Sequence, residues 1–312
     1  MQRLWSIKMK NINPPLLLLS ALIGSAIASS VHADDVDLTW EVNSGVKHDN
    51  TLTIAELDQV SQQSDVALTL QAQAKVKWQI PPKLTLKSTA SYQINDYQKY
   101  SNYDLNIAKI AFDLDYRLAD STIGTSYYFV DAKLDKADFL QFSQNSLYWS
   151  KLYQQRYLLR FSADVKEKEF ANLTERDASS FSVSNQHFYF FNQAKSFVSL
   201  NLTADNENAK DNQFDLRGFG VRALYSHSFV GWQHEQQLQL GWQYNKRDYQ
   251  QAGTEEQPQR KDNSQVVDAT WLFNLTPNWS INTKVEYGNY QSTLENLNYD
   301  ETITSLSLKG TF

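Results

Sequence analysis

DVALTLQAQAKVKWQI, residues 65–80, keeps a two-residue period from one end to the other. Val66, Leu68, Leu70, Ala72, Ala74, Val76, Trp78 and Ile80 fall on even positions, while Thr69, Gln71, Gln73, Lys75, Lys77 and Gln79 take odd ones. Successive side chains of a strand point to opposite faces, so the stretch builds one apolar face and one polar, charged face. Strands of soluble sheets run to about five or six residues, whereas a tilted strand that crosses a bilayer needs about nine to eleven. This one is long enough to cross.

The pattern recurs. Ala108, Ile110, Phe112, Leu114 and Tyr116 alternate with Lys109, Asp113, Asp115 and Arg117; Tyr157, Leu159, Phe161, Ala163 and Val165 alternate with Arg160, Asp164 and Lys166. About fourteen such stretches can be drawn, with twelve or sixteen as the neighbouring even counts. They lie near residues 36–48, 65–80, 83–97, 104–118, 122–134, 139–151, 156–168, 178–190, 196–205, 213–228, 234–248, 264–275, 278–290 and 300–312. Alternation alone also suits a soluble sandwich, whose apolar faces would meet in a core. The connections separate the two folds. Short ones at 81–82, 119–121, 152–155, 191–195, 230–234 and 276–277 take turns with longer ones such as DNTLTIAELDQVSQQS, ANLTERD and YQQAGTEEQPQRKDN. Short turns on one side and long loops on the other mark a membrane barrel, and closure leaves no unpaired strand edge in lipid. The expected fold is all-β: a single transmembrane antiparallel up-and-down β-barrel.

The first residues set the compartment. Arg3, Lys8 and Lys10 precede an apolar run from Leu16 to about Ala28, followed by Val31-His32-Ala33. This reads as a cleaved signal peptide over 1–33, with the barrel over 34–312, and the apolar run is shorter than the ~20 residues of a membrane helix. Removing the three basic residues leaves the mature chain more acidic than the −6 of the whole, which argues against a nucleic-acid partner. Cysteine is absent, so neither disulfides nor a lipidated N-terminal cysteine can contribute. The first strand begins within a few residues of the expected cleavage site, which leaves no room for an N-terminal plug.

Aromatic residues make up 13% of the chain, and Trp78, Tyr116, Tyr157, Phe197, Phe229, Trp232, Trp279 and Phe312 all neighbour the short connections. They are expected to form an interfacial girdle, with Trp78, Tyr116, Trp232 and Trp279 as its main members. The C-terminal stretch ETITSLSLKGTF, residues 301–312, puts Leu306, Leu308 and Phe312 on one face. It resembles the C-terminal signal of Gram-negative outer-membrane barrels. That resemblance implies an outer-membrane location, recognition by the barrel-assembly machinery, and contact with outer-membrane lipid and lipopolysaccharide. Gly310 and Thr304 are smaller than the pattern favours at outward positions.

Polar faces then line a lumen. Lys75, Lys77, Lys87, Lys109, Arg117, Arg160, Lys166, Arg222, Lys284 and Lys309 are set against Asp113, Asp115, Asp164, Asp268 and Glu286. Rings of charge set pore selectivity, so this basic excess points to a passive, porin-like channel for small polar or anionic solutes, built as a monomer. The same charges could instead pair and seal the barrel. KRDY at 246–249, LTPNW at 275–279 and NYDET at 298–302 resemble the last strands of surface lipoprotein assembly modifiers and related export barrels, which implies a surface-assembly role as the alternative. An enzyme is not expected: His227 and Ser228 are adjacent and face opposite sides of a strand. No cofactor is expected, and DNENAKDN at 205–212 reads as a solvated loop rather than a cation site.

Overall fold

The computed structural model describes residues 36–80, 82–250 and 259–312. The expected signal peptide lies outside them. The first strand, β1, is Val36–Asp49, and a small hairpin of β2 (Leu52–Ile54) and β3 (Gln59–Ser61) follows, joined by the one-turn 3-10 helix Ala55–Leu57. Then come β4 (Asp65–Ile80), β5 (Leu84–Tyr97), β6 (Leu105–Arg117), β7 (Thr122–Leu134), β8 (Ala137–Tyr153) and β9 (Tyr157–Phe170). The remainder are β10 (Ala178–Phe191), β11 (Ser196–Ala209), β12 (Leu216–Gly231), β13 (His234–Tyr249), β14 (Lys261–Asn274), β15 (Trp279–Ser292) and β16 (Tyr299–Thr311).

All except β2 and β3 form one closed barrel in which sequence neighbours pair antiparallel, fourteen strands in all. β1 closes the circle on β16, with Val42 opposite Gly310 and Val46 opposite Leu306. Trp40 and Phe312 exchange backbone hydrogen bonds of 2.8 Å in each direction. Phe312 therefore extends the closing seam, and its ring meets Trp279 edge-on at 5.7 Å. Among the described residues no helix is long and apolar enough to cross a membrane, so any crossing is by strands.

The apolar faces point outward. Leu68, Leu70, Phe112, Leu147, Phe161, Val165, Val198, Val267, Leu306 and Leu308 are all large and exposed. A continuous belt of this kind is intolerable in water and is what lipid requires. The opposite face holds Ser182, Asp164 and Asp268, which are buried. Short turns close the hairpins at one end, with positive φ at Gln154, Gln155, Trp232 and Gln233, and the other end carries the longer loops apart from one two-residue turn, Asp135–Lys136, between β7 and β8. Such a φ pair supplies the twist of a two-residue hairpin.

Two expectations need correction. β11 runs to Ala209, so Asp205 and Glu207 are strand residues rather than members of a solvated loop. The expected strand ended at residue 205; a hydrated lumen accepts the charge of Glu207, which removes the reason to stop there. Phe197 does not belong to the girdle: its neighbour Val198 faces outward, and its own ring packs on Phe188 and Phe190 at 6.3 and 6.0 Å on the inward side.

Candidate functional site

Strand parity places Lys75, Lys77, Lys109, Asp113, Asp115, Arg117, Arg160, Asp164, Arg222, Asp268, Lys284 and Glu286 on the face opposite the exposed apolar side chains, toward the lumen. Most have a partner. Lys75 and Lys309 both reach Glu41, at 2.9 and 3.1 Å. Lys77 lies 3.8 Å from Asp37, and Lys87 bridges Asp113 and Asp115 at 3.1 and 2.8 Å. Arg222 pairs with Asp268 at 3.2 Å, and Lys284 with Glu286 at 2.6 Å. These pairs lie within one strand or join neighbouring or next-nearest strands, so they coat the wall rather than cross the lumen. In a water-filled lumen each is worth about 0.2–1 kcal/mol.

A few charges stay outside this coat. Lys109, Lys166 and Arg247 form no ion pair among the described residues. Arg160 stacks on the Tyr148 ring at 3.6 Å, and Tyr148 in turn donates to Asp113 at 3.0 Å. Of the carboxylates, Asp164 accepts only from Ser182, at 3.1 Å. Asp205 has neither a hydrogen-bond nor an ion-pair partner among the described side chains. The unpaired balance is basic.

The long-loop end holds a feature that strand patterns do not announce. The segment between β1 and β4 folds into the barrel instead of over it. Leu52 is only 1% exposed, Thr51 Oγ1 donates to the Asp300 carbonyl at 2.9 Å, and Thr53 Oγ1 donates to Glu301 Oε1 at 3.0 Å. At the tip, Asp58 takes a left-handed conformation with φ 54°. Its carboxylate accepts from Arg176 Nη2 at 2.7 Å, and from Arg260 Nη2 and Nη1 at 2.7 and 3.1 Å. Arg176 also donates to the Glu56 carbonyl at 2.9 Å. Burial pushes the Asp58 carboxyl up, but the hydrogen bonds and charges of Arg260 and Arg176 more than offset this and hold it below its ordinary value. Arg176 comes from the β9–β10 loop and Arg260 from just before β14, so the clamp spans the lumen.

Below the clamp lies a cavity of about 460 Å³. Glu56 and Asp58 roof it, and its walls include Lys166, Asp205, Arg222 and Arg247. The girdle residues Tyr116 and Trp279 are exposed on the outward face, Trp78 is half-buried, and Trp232 sits in the β12–β13 turn against Trp271 at 6.4 Å. Leu306, Leu308 and Phe312 also face outward.

No family model matches the chain, and no curated protein matches its sequence. Solved structures do resemble it. OmpT of Vibrio cholerae, folded in vitro and in a trimer form, gives a TM-score of 0.57 at 7% identity over 89% of this chain and 99% of its own. A bacterial polysaccharide outer membrane secretin gives 0.52 at 8% identity, covering 88% and 98%. The anion-selective porin from Comamonas acidovorans gives 0.50 at 10% identity, covering 89% and 99%.

The likeness to OmpT corrects the expectation that this chain is not an enzyme. At 6–7% identity it is a likeness of fold, and a fold shared by barrels of different function gives no ground for excluding an activity. Nor does the His227–Ser228 argument cover the serine–histidine contacts present. Ser64 Oγ lies 3.0 Å from His48 Nε2, with both residues exposed at the long-loop end, and Ser196 Oγ lies 2.8 Å from His227 Nδ1 with Ser196 wholly buried. What the neighbours share with this chain is the architecture, and it is that of an outer-membrane β-barrel.

Proposed function

We propose that the protein is an outer-membrane channel for small polar or anionic solutes, with its short turns in the periplasm and its long loops at the cell surface. One observation carries this reading. Once paired charges are set aside, Lys109, Arg117, Lys166, Arg247 and the ring-stacked Arg160 remain on the lumen wall, among the described residues, against Asp164, Asp205, Glu235 and Glu301. Fixed charge at a narrow passage enriches the opposite ion, so this excess favours anions. The test is current across a planar bilayer under a potassium chloride gradient. Steady conductance with anion preference is expected, and Lys109→Glu with Arg160→Glu should move the reversal potential toward cation preference. A reversal potential that ignores both substitutions would overturn the reading.

The Asp58 clamp favours a second reading, a barrel closed at the surface end until the loop is released. Complete electrical silence that ends when residues 52–61 are excised would support it over a standing pore.

A further inference from the structure

β12 presents Gly218 and Gly220 two residues apart on its lumen face, so this part of the wall bears no side chains. Gly218 lies directly opposite Asp205 on β11 and directly opposite Arg247 on β13. The next inward row pairs Gly220 with Thr203 on one side and Asn245 on the other. The result is a trough along β12, open to the 460 Å³ cavity, with a carboxylate on one bank and a guanidinium on the other.

The Asp205 carboxylate leans over the trough. A Cβ at position 218 would stand 2.6 Å from its Oδ2 and 2.7 Å from its Cγ, so a side chain there would displace the carboxylate from this position. The barrel contains a second arrangement of this kind for comparison. Asp268 leans in the same way over Gly241, and there the carboxylate completes an ion pair with Arg222 at 3.2 Å. Asp205 and Arg247 face each other across Gly218 without pairing. Nearby charges do not satisfy them either, since Lys168 is engaged by Glu207 and Glu56, and Arg176 by Asp58.

We propose that the trough binds a small zwitterion, an α-amino acid or short peptide, with its ammonium on Asp205 and its carboxylate on Arg247. This deepens the channel reading and rests on it by naming the solute class that lingers in the lumen. A simple anion would meet Asp205 beside Arg247 and a simple cation would meet Arg247 and Lys166, so each is opposed where a zwitterion is matched at both ends.

Saturation-transfer NMR on the barrel folded in detergent micelles tests this with L-alanine, L-lactate and ethylamine, which share size and differ in charge. Alanine is expected to bind at least about tenfold more tightly than either. Asp205→Asn should bring alanine down to the level of lactate, and Arg247→Gln should bring it down to that of ethylamine. Gly218→Val, which changes no charge, should abolish alanine binding by filling the trough. Heat-modifiable gel mobility verifies that each variant is folded. Alanine binding no better than lactate, or unaffected by both Gly218→Val and Asp205→Asn, would overturn the site. Binding needs no conduction, so the two readings fail separately. Conductance without alanine preference removes the site and leaves the channel, whereas alanine-selective binding to an electrically silent barrel removes the channel and leaves the site.

Discussion

Asp58 concentrates more of the lumen's architecture than any other side chain at its end of the barrel. It adopts a left-handed φ of 54°, which costs a non-glycine residue about 1–2 kcal/mol. Three charge-assisted hydrogen bonds from Arg176 and Arg260 offset that cost, and all three side chains are about one-fifth exposed or less. Asp58→Asn removes the charge and leaves Arg176 without its carboxylate, while Arg260 keeps Asp262 at 2.7 Å, a loss of up to about 3 kcal/mol for the charged hydrogen bonds given up. The loop should leave the lumen, and single-channel conductance should rise several-fold; unchanged conductance would mean that Thr51, Thr53 and Leu52 hold the segment unaided. The pH response follows from the same clamp. Asp58 is held below its ordinary value while clamped, so the clamp is at full strength above the ordinary aspartate pKa of about 3.9 and is lost as pH falls through the lowered, clamped value. Conductance should therefore be flat from pH 8 to pH 5 and increase only below about pH 4. An increase between pH 8 and pH 6 would assign the gate to some other group.

At the level of the strand, the two-residue period does the organising, and it can be tested within one pair of neighbours. Leu70 on β4 faces lipid and Gln71 faces the lumen opposite Gln93. Arginine near the middle of the lipid face costs a barrel about 2–4 kcal/mol, whereas a lumen position hydrates the same charge. Leu70→Arg should lower the temperature at which folded gel mobility is lost, and Gln71→Arg should leave it within a degree or two; equal losses would mean that the strand is not in lipid. Residues 65–80 form β4 as the alternation requires, and among the described residues the short connections read near 119–121, 152–155, 191–195, 230–234 and 276–277 each fall between consecutive strands. Period two was legible because lipid and lumen enforce it at each step. The inward loop was not, because its contacts join residues far apart: Asp58 meets Arg176 and Arg260 at separations of 118 and 202 residues. The one local hint was Leu52, Ile54 and Leu57, apolar residues inside a connection that otherwise looks solvated. The trough was missed for a related reason. Asp205, Gly218 and Arg247 become one row only through the registers of β11, β12 and β13, and the polar composition of DNENAKDN reads as loop although β11 continues through it to Ala209.

Over the whole barrel, charge is sorted rather than merely abundant. The chain carries a formal charge of −6, yet among the described unpaired charges of the lumen wall Lys109, Arg117, Arg160, Lys166 and Arg247 outnumber Asp164, Asp205, Glu235 and Glu301. Two mechanisms could turn that excess into anion preference, and salt separates them. If the preference arises from the diffuse field of the wall, it acts over a Debye length of about 10 Å at 0.1 M salt and about 3 Å at 1 M. The field then fills a narrow lumen at low salt and collapses onto the wall at high salt. If ions are instead handed between discrete contacts, as in the row Asp205, Gly218 and Arg247, close-range partners are screened far less. Reversal potentials measured across the same tenfold gradient, once centred near 0.1 M and once near 1 M, should show anion preference weakening toward neutrality at the higher concentration. Preference undiminished at 1 M would move selectivity from the field to the discrete contacts, and Arg247→Gln should then abolish it. Cation preference at 0.1 M would contradict a basic lumen altogether, because the unpaired wall charges have least screening and most influence there.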